Sequence, residues 1–233
     1  MLSLGEDAER LYLWKPAGIP VFPPHADPEG DCLLARMLAE WPSRAGGWPA
    51  GFEGGIAHRL DTATSGLVVA ARTHEGLAPF RAAFGTGALR KFYLFRSDAA
   101  ESPAGPPFHE QVRSEPIAHH PSRKDRMVTR RGPRTTHRGK WYDAWTRFTD
   151  RGGGWWEAEI RTGVMHQIRV HAAAAGIPLT GDALYGGAPG HFVLHHTCMI
   201  GSGWASPVAP LPDDLPADLP APPQGGPDVL VRP

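Results

Sequence analysis

The sequence predicts one α+β domain over residues 1–206, followed by a proline-rich acidic tail over residues 207–233. Two observations carry the fold class. Short segments with strand-like apolar patterning are interleaved irregularly with only a few stretches of helical spacing. The regular strand–helix–strand alternation that builds a parallel α/β sheet is missing, as is any internal repeat.

The elements follow in order. Residues 11–14 read as a short strand closed by the Lys15-Pro16-Ala17-Gly18 turn. Asp31 is placed to cap a helix whose apolar positions Leu33, Leu34, Met37, Leu38 and Trp41 keep the helical period, and a Gly/Pro-rich loop fills residues 42–55. Residues 66–72 form a nearly continuous apolar run, which suits a strand buried on both faces. Thr73 then caps a second helix through Leu77, Phe80 and Phe84 that stops at Gly85, and residues 89–95 make another strand. Residues 99–138 are too polar and proline-punctuated for regular core structure, apart from short strands near Gln111 and Met127. Residues 142–149 and 155–161 alternate in polarity around Asp150-Arg151-Gly152-Gly153-Gly154, a hairpin signal. Helical spacing returns with Met165, Ile168, Ala172 and Ala175, carries Arg169 at its exposed edge, and ends at Gly176 and Pro178. Beyond residue 206 the proline density predicts a segment that wraps the surface or stays disordered.

The whole-chain balance excludes several classes. At 233 residues, 41% hydrophobic and 21% charged, the chain has the composition of an ordinary soluble domain. It holds no apolar run long enough to cross a bilayer, and the opening MLSLGEDAER lacks the basic start and apolar stretch of a signal peptide, so a cytoplasmic location is expected. Cys32 and Cys198 show no CxxC spacing and read as two reduced thiols. The formal net charge of zero argues mildly against a nucleic-acid partner. It conceals an asymmetry, however. Arg123, Lys124, Arg126, Arg130, Arg131, Arg134, Arg138 and Lys140 are offset locally by Asp125 alone, whereas Asp213, Asp214, Asp218 and Asp228 face only Arg232 in the tail.

Three segments are too specific for packing alone. The first, His58-Arg59-Leu60-Asp61-Thr62-Ala63-Thr64-Ser65-Gly66-Leu67, holds a carboxylate among hydroxyls at the entrance of a buried strand. Taken singly, Asp61 would be an ordinary turn residue binding nearby amides. The second, Arg90-Lys91-Phe92-Tyr93-Leu94, places Lys91 and Tyr93 on one face of a strand, which is common in any sheet. The third runs from His166-Gln167-Ile168-Arg169-Val170-His171 through Gly176-Ile177-Pro178 to Gly181-Asp182-Ala183-Leu184-Tyr185-Gly186. Its local reading is a helix end with routine turn chemistry.

In this order and spacing the three segments, with the Lys15-Pro16-Ala17-Gly18 turn, resemble the RluA-type family of RNA pseudouridine synthases. The family's HRLDxxTSG signature matches residues 58–66, its K-x-Y element matches Lys91 and Tyr93, and its HQIRVH…GxP…GD…YG block matches residues 166–186. The resemblance spans roughly residues 11–207 and implies a pseudouridine synthase fold on a mixed, largely antiparallel bent sheet. It implies Asp61, Tyr93 and Arg169 as catalytic residues, with Arg169 paired to the Asp61 carboxylate and Tyr93 under the uracil. It further implies His58, Arg59, Leu60, Thr64, Lys91, His166 and Gln167 as substrate contacts. The expected substrate is a uridine in rRNA or tRNA, the enzyme acting as a monomer without metal or organic cofactor. The match begins almost at the N-terminus, so the extra N-terminal RNA-binding domain of many members is not expected.

The chain departs from the family pattern at two places. Val164-Met165 stands where Arg followed by Thr or Ser is usual, removing a cation that could meet a phosphate, and Phe95 replaces a small residue. The basic residues 123–140 could hold phosphates flanking a flipped-out nucleotide, or could be a solvated loop. Twelve histidines raise the question of a metal, but neither His119-His120 nor His195-His196-Thr197-Cys198 has zinc-site spacing, and His195 falls where the family has an LHA turn. Two competing functions remain: an RNA-binding protein impaired at Val164-Met165, and, more remotely, a glycosidase pairing Asp61 with Asp182.

Overall fold

The structure, a computed structural model, describes residues 2–101, 107–213 and 215. In chain order the strands are β1 (Ser3–Glu6), β2 (Arg10–Lys15), β3 (Ser65–Ala71), β4 (Arg90–Arg96), β5 (Glu110–Arg113), β6 (Ile117–His119), β7 (Met127–Thr129), β8 (Arg138–Tyr142), β9 (Thr146–Gly152), β10 (Trp155–Ile160), β11 (Leu194–Gly201) and β12 (Trp204–Ala205). The α-helices among the described residues are α1 (Leu33–Glu40), α2 (His74–Gly85) and α3 (Gln167–Ala174). The chain divides into two compact units, Met1–Leu89 with His195–Asp214, and Arg90–Leu194 with Leu215–Pro233. The predicted α+β class holds, with mixed, largely antiparallel pairing. No helix among the described residues is long and apolar enough to cross a membrane.

In the first unit β2 lies between β1 and β3, antiparallel to both, and β3 pairs in parallel with β11, which carries β12 at its other end. All seven residues of β3 are buried, as its continuous apolar run requires. Gly66 has φ 113°, and a Cβ there would sit 2.3 Å from the His196 carbonyl oxygen, so only glycine lets β11 approach at this point. Helix α2 begins as predicted, with Thr73 Oγ1 accepting from the Gly76 amide, and it buries Leu77 and Phe80. Helix α1 is capped differently. Cys32 Sγ accepts from the Ala35 amide, while the Asp31 carboxylate lies outside the helix and binds the exposed Arg36 guanidinium. Tyr12, Leu67, Val69, Leu77, Phe80, Leu89 and Met199 form the core, each apolar side chain contributing about 1.5–3 kcal/mol of burial.

Ala209 belongs to that core too. Its amide donates to the Thr197 carbonyl and the Trp14 indole donates to the Pro210 carbonyl, so the first residues of the predicted tail are docked. The remainder of the tail, residue 215 excepted beyond residue 213, lies outside the described residues. His195 occupies strand β11 rather than the turn expected for it: buried, it pairs through Nδ1 with Ser65 Oγ and through Nε2 with the Ala209 carbonyl.

The second unit holds an antiparallel sheet in the order β4-β10-β9-β5 and a small three-stranded sheet, β7-β6-β8. The predicted hairpin joins β9 to β10 through Gly153 and Gly154 at φ 56° and 74°, the left-handed pair that a two-residue turn demands. The strand expected over residues 142–149 is two strands. Tyr142 ends β8, Ala144 is buried beneath the small sheet, and Thr146 starts β9. Strand β6 went unpredicted, since three residues are too short for any period to show. Met165 stands outside α3, which starts two residues later, and is 37% exposed. Ile117, Met127, Ala144, Val170 and Tyr185 pack the small sheet onto α3.

Candidate active site

The first unit supplies the Asp61 turn. Thr64 N–H donates to the Asp61 carbonyl, so a main-chain bond closes residues 61–64. Lys15 braces this turn from below. Wholly buried, its ammonium donates to the carbonyls of Pro16, Ile19 and Thr62, and the Gly18 amide donates to Thr62 as well. Burial pulls the Lys15 pKa down to about 8, against the opposing pull of the negative charge on Asp61. That coupling is the electrostatic sign that the Asp61 charge is felt inside the fold.

The neighbours of Asp61 are structural to differing degrees. His58 was expected to contact substrate, but its Nε2 accepts from the Val69 amide and its ring lies 5.4 Å from Phe84, which commits it to strand β3. Leu60 and Thr64, expected as contacts, are buried. Arg59 is exposed and Asp61 half-buried.

The second unit supplies the remaining predicted residues. Lys91 and Tyr93 do share a face of β4, opposite Ile160 and Ala158 of β10. Both are buried. Lys91 Nζ donates to the Thr162 carbonyl, and burial lowers its pKa to about 8. The Phe95 departure is absorbed by the core, where its ring meets Phe148 edge to face at 5.8 Å.

Gln167 was also expected to contact substrate. Its Oε1 accepts from Thr162 Oγ1 and the Val164 amide, while its Nε2 donates to the Trp145 carbonyl and Thr146 Oγ1. A buried amide engaged at both ends holds the loop into α3. These bonds also explain why Val164 is tolerated: the turn is closed through its main chain, and its side chain packs on the cluster around Val170 and Tyr185.

Arg169 is not on an open helix edge. Its Nε and Nη2 donate to the two carboxylate oxygens of Asp182 at 2.7 and 2.8 Å, and its guanidinium lies 5.1 Å from the Tyr185 ring centre and 5.6 Å from that of Phe192. Asp182 is 2% exposed. This pair is the feature sequence reading missed, and it removes Asp182 as the second acid of a glycosidase, because both its oxygens are taken. His166 precedes α3 in the left-handed region at φ 54°, its Nδ1 3.0 Å from the Tyr185 hydroxyl.

Residues 123–140 are partly sheet: Arg130, Arg131 and Arg134 lie in the segment between β7 and β8, and Arg138 and Lys140 lie on β8. Arg130, Arg131, Arg134, Arg138 and Lys140 are exposed, whereas Arg123 pairs with Asp125. His137 stacks on Trp141 at 4.3 Å, and Lys140 lies over Tyr142 at 5.0 Å. Among the described residues no group of three or more His, Cys, Asp or Glu could hold a metal ion.

Comparison with known proteins agrees with the motifs. The family model for RNA pseudouridylate synthase matches residues 10–174. An uncharacterized RNA pseudouridine synthase of Chloroflexus aurantiacus is 34% identical over 86% of this chain and 63% of its own length. Ribosomal large subunit pseudouridine synthase D of Xanthomonas campestris is 34% identical over 79% of this chain and 51% of its own. The chain thus spans between half and two thirds of these relatives. In fold it is similar to human RNA pseudouridylate synthase domain containing 1, with TM-score 0.70 at 18% identity over 98% of this chain and 92% of that one.

Proposed function

The chain belongs to the RNA pseudouridylate synthase family, and from that premise we propose that it isomerises specific uridines of structured RNA, rRNA or tRNA, to pseudouridine in the cytoplasm. The observation that carries the reading is Asp61: a half-buried carboxylate at the first position of a main-chain-closed turn, inside the family's signature, with its charge coupled to Lys15.

In this reaction the bond from uracil N1 to the sugar breaks, the base turns, and C5 bonds to the same sugar carbon. The proton lost at C5 is regained at N1, so nothing is added or removed overall. The electron-poor sugar centre requires an anion, supplied by Asp61. The family resemblance assigns Arg169 the part of keeping that carboxylate ionised, and within its own unit Arg169 is held by Asp182. Tyr93 would stack under the uracil and take the C5 proton, a slow step for a phenol whose ordinary pKa is ~10. The intact α3 turn at Val164 favours activity over an impaired RNA binder.

Because no atom or electron is exchanged with a cofactor, turnover is expected to persist in excess chelator without added nucleotide. Loss of turnover restored by zinc would overturn that expectation. The exposed cations between β7 and β8 and on β8 are proposed to grip the RNA backbone. Replacing Arg130, Arg131 and Arg134 by Gln should weaken binding across RNA sequences and flatten the salt dependence of log K by roughly 2–3, leaving the single-turnover rate at saturating RNA nearly unchanged. An unaltered slope in the triple variant would assign these arginines to a solvated surface.

A further inference from the structure

The hydroxyl of Tyr185 joins three parts of the second unit. The Met127 amide of β7 donates to Tyr185 Oη at 2.8 Å, and His166 Nδ1 lies 3.0 Å from the same oxygen. The guanidinium of Arg126 lies 5.5 Å from the ring centre, and that of Arg169 lies 5.1 Å from it. The side chain is 7% exposed, and burial lifts its pKa to about 12, so the hydroxyl keeps its proton at neutral pH.

The protons can then be assigned. One lone pair of Oη accepts from Met127, and the hydroxyl hydrogen of a side chain this buried needs a protein acceptor. His166 Nδ1 is the acceptor within reach among the described residues, so it must be bare and the neutral ring carries its proton on Nε2. The His166 backbone agrees that this ring is deliberately placed. It is the one non-glycine residue at positive φ among those described, a conformation costing about 1–2 kcal/mol that persists only where surrounding bonds impose it. Those bonds are on hand: Val170 N–H donates to the His166 carbonyl, and Gln167 ties down Val164.

We propose that Tyr185 is a positioning residue that fixes His166 as an Nε2–H donor to an oxygen acceptor of the RNA substrate, and that it anchors this state to β7. The inference rests on the reading that the chain acts on RNA. It makes His166 a hydrogen-bond donor in its resting state, not a base.

The test combines the tautomer with a double-mutant cycle. 15N NMR of histidine-labelled wild-type protein without RNA should show His166 bare at Nδ1 and protonated at Nε2. Tyr185→Phe keeps the ring and both cation contacts, and should lower the single-turnover rate about tenfold, as expected for one lost hydrogen bond, with RNA affinity changed less than about twofold. In a His166→Ala background the same substitution should have no further effect on rate, since Tyr185 acts through His166. A merely structural Tyr185 would cost as much in that background as in the wild type, and that additivity would overturn the proposal. So would an Nδ1-protonated His166, a measurement that decides the matter even where Tyr185→Phe fails to fold. Wild-type protein that turns over no RNA would overturn the proposed activity instead, and the tautomer would still be readable.

Discussion

Asp61→Asn is expected to leave a folded protein that binds RNA and forms no pseudouridine. The substitution keeps size and polarity, and the turn it occupies is closed by the Asp61 carbonyl and braced by Lys15 through other carbonyls, none of which changes. Only the anion is lost. Removing one electrostatic stabiliser of a transition state costs about 10²–10³ in rate, and removing a covalent partner costs more, so a fall of at least about a thousandfold in single-turnover rate is predicted. Binding, governed by cations elsewhere, should change by less than about threefold. A side effect follows from the charge coupling: the Asp61 charge offsets part of the cost of burying the Lys15 ammonium, so without it the melting temperature should fall slightly. Full activity in this variant would remove the basis of the mechanism.

Asp182→Asn is expected to have the next largest effect. The Arg169–Asp182 pair is bidentate, and the carboxylate is almost wholly buried. Removing one partner of such a pair typically costs about 3–5 kcal/mol, because the other charge is left poorly compensated. The amide keeps one acceptor and softens this, so a loss of about 2–4 kcal/mol is predicted, with a melting temperature lower by roughly 5–15 °C. Turnover should drop by about a hundredfold through the loosened guanidinium. Thermal unfolding and single-turnover kinetics on the same preparation check both. Unchanged values would show the pair to be an ordinary surface ion pair, contrary to its burial.

What the sequence disclosed was what local chemistry decides. Strand β3 announces itself as an unbroken apolar run, Thr73 is a cap wherever a helix follows, and two glycines between alternating segments force the β9–β10 hairpin. The Asp61 segment was legible because its residue types sit at fixed spacing. What stayed hidden was decided by partners distant in sequence. Nothing near Asp182 reveals that it takes the Arg169 guanidinium, and nothing near Tyr185 reveals the Met127 amide. Membership of a motif also does not disclose what a side chain touches. His58 Nε2 accepts from the Val69 amide and Gln167 holds the loop around Trp145, contacts that no spacing within the motif reveals. Cys32 took the α1 cap from Asp31 for a similar reason, since Arg36 offered the carboxylate a partner in solvent.

The central claim is that this chain makes pseudouridine and that the Asp61 carboxylate is what makes it. Transcriptome-wide pseudouridine mapping tests it most directly, in cells that lack the protein and in the same cells given back either wild-type protein or Asp61→Asn at equal abundance. The account predicts at least one rRNA or tRNA site that disappears on deletion, returns with the wild type and stays absent with Asp61→Asn. Identical maps in the parent, the deletion and both complemented cells, or a site restored by Asp61→Asn, would contradict it.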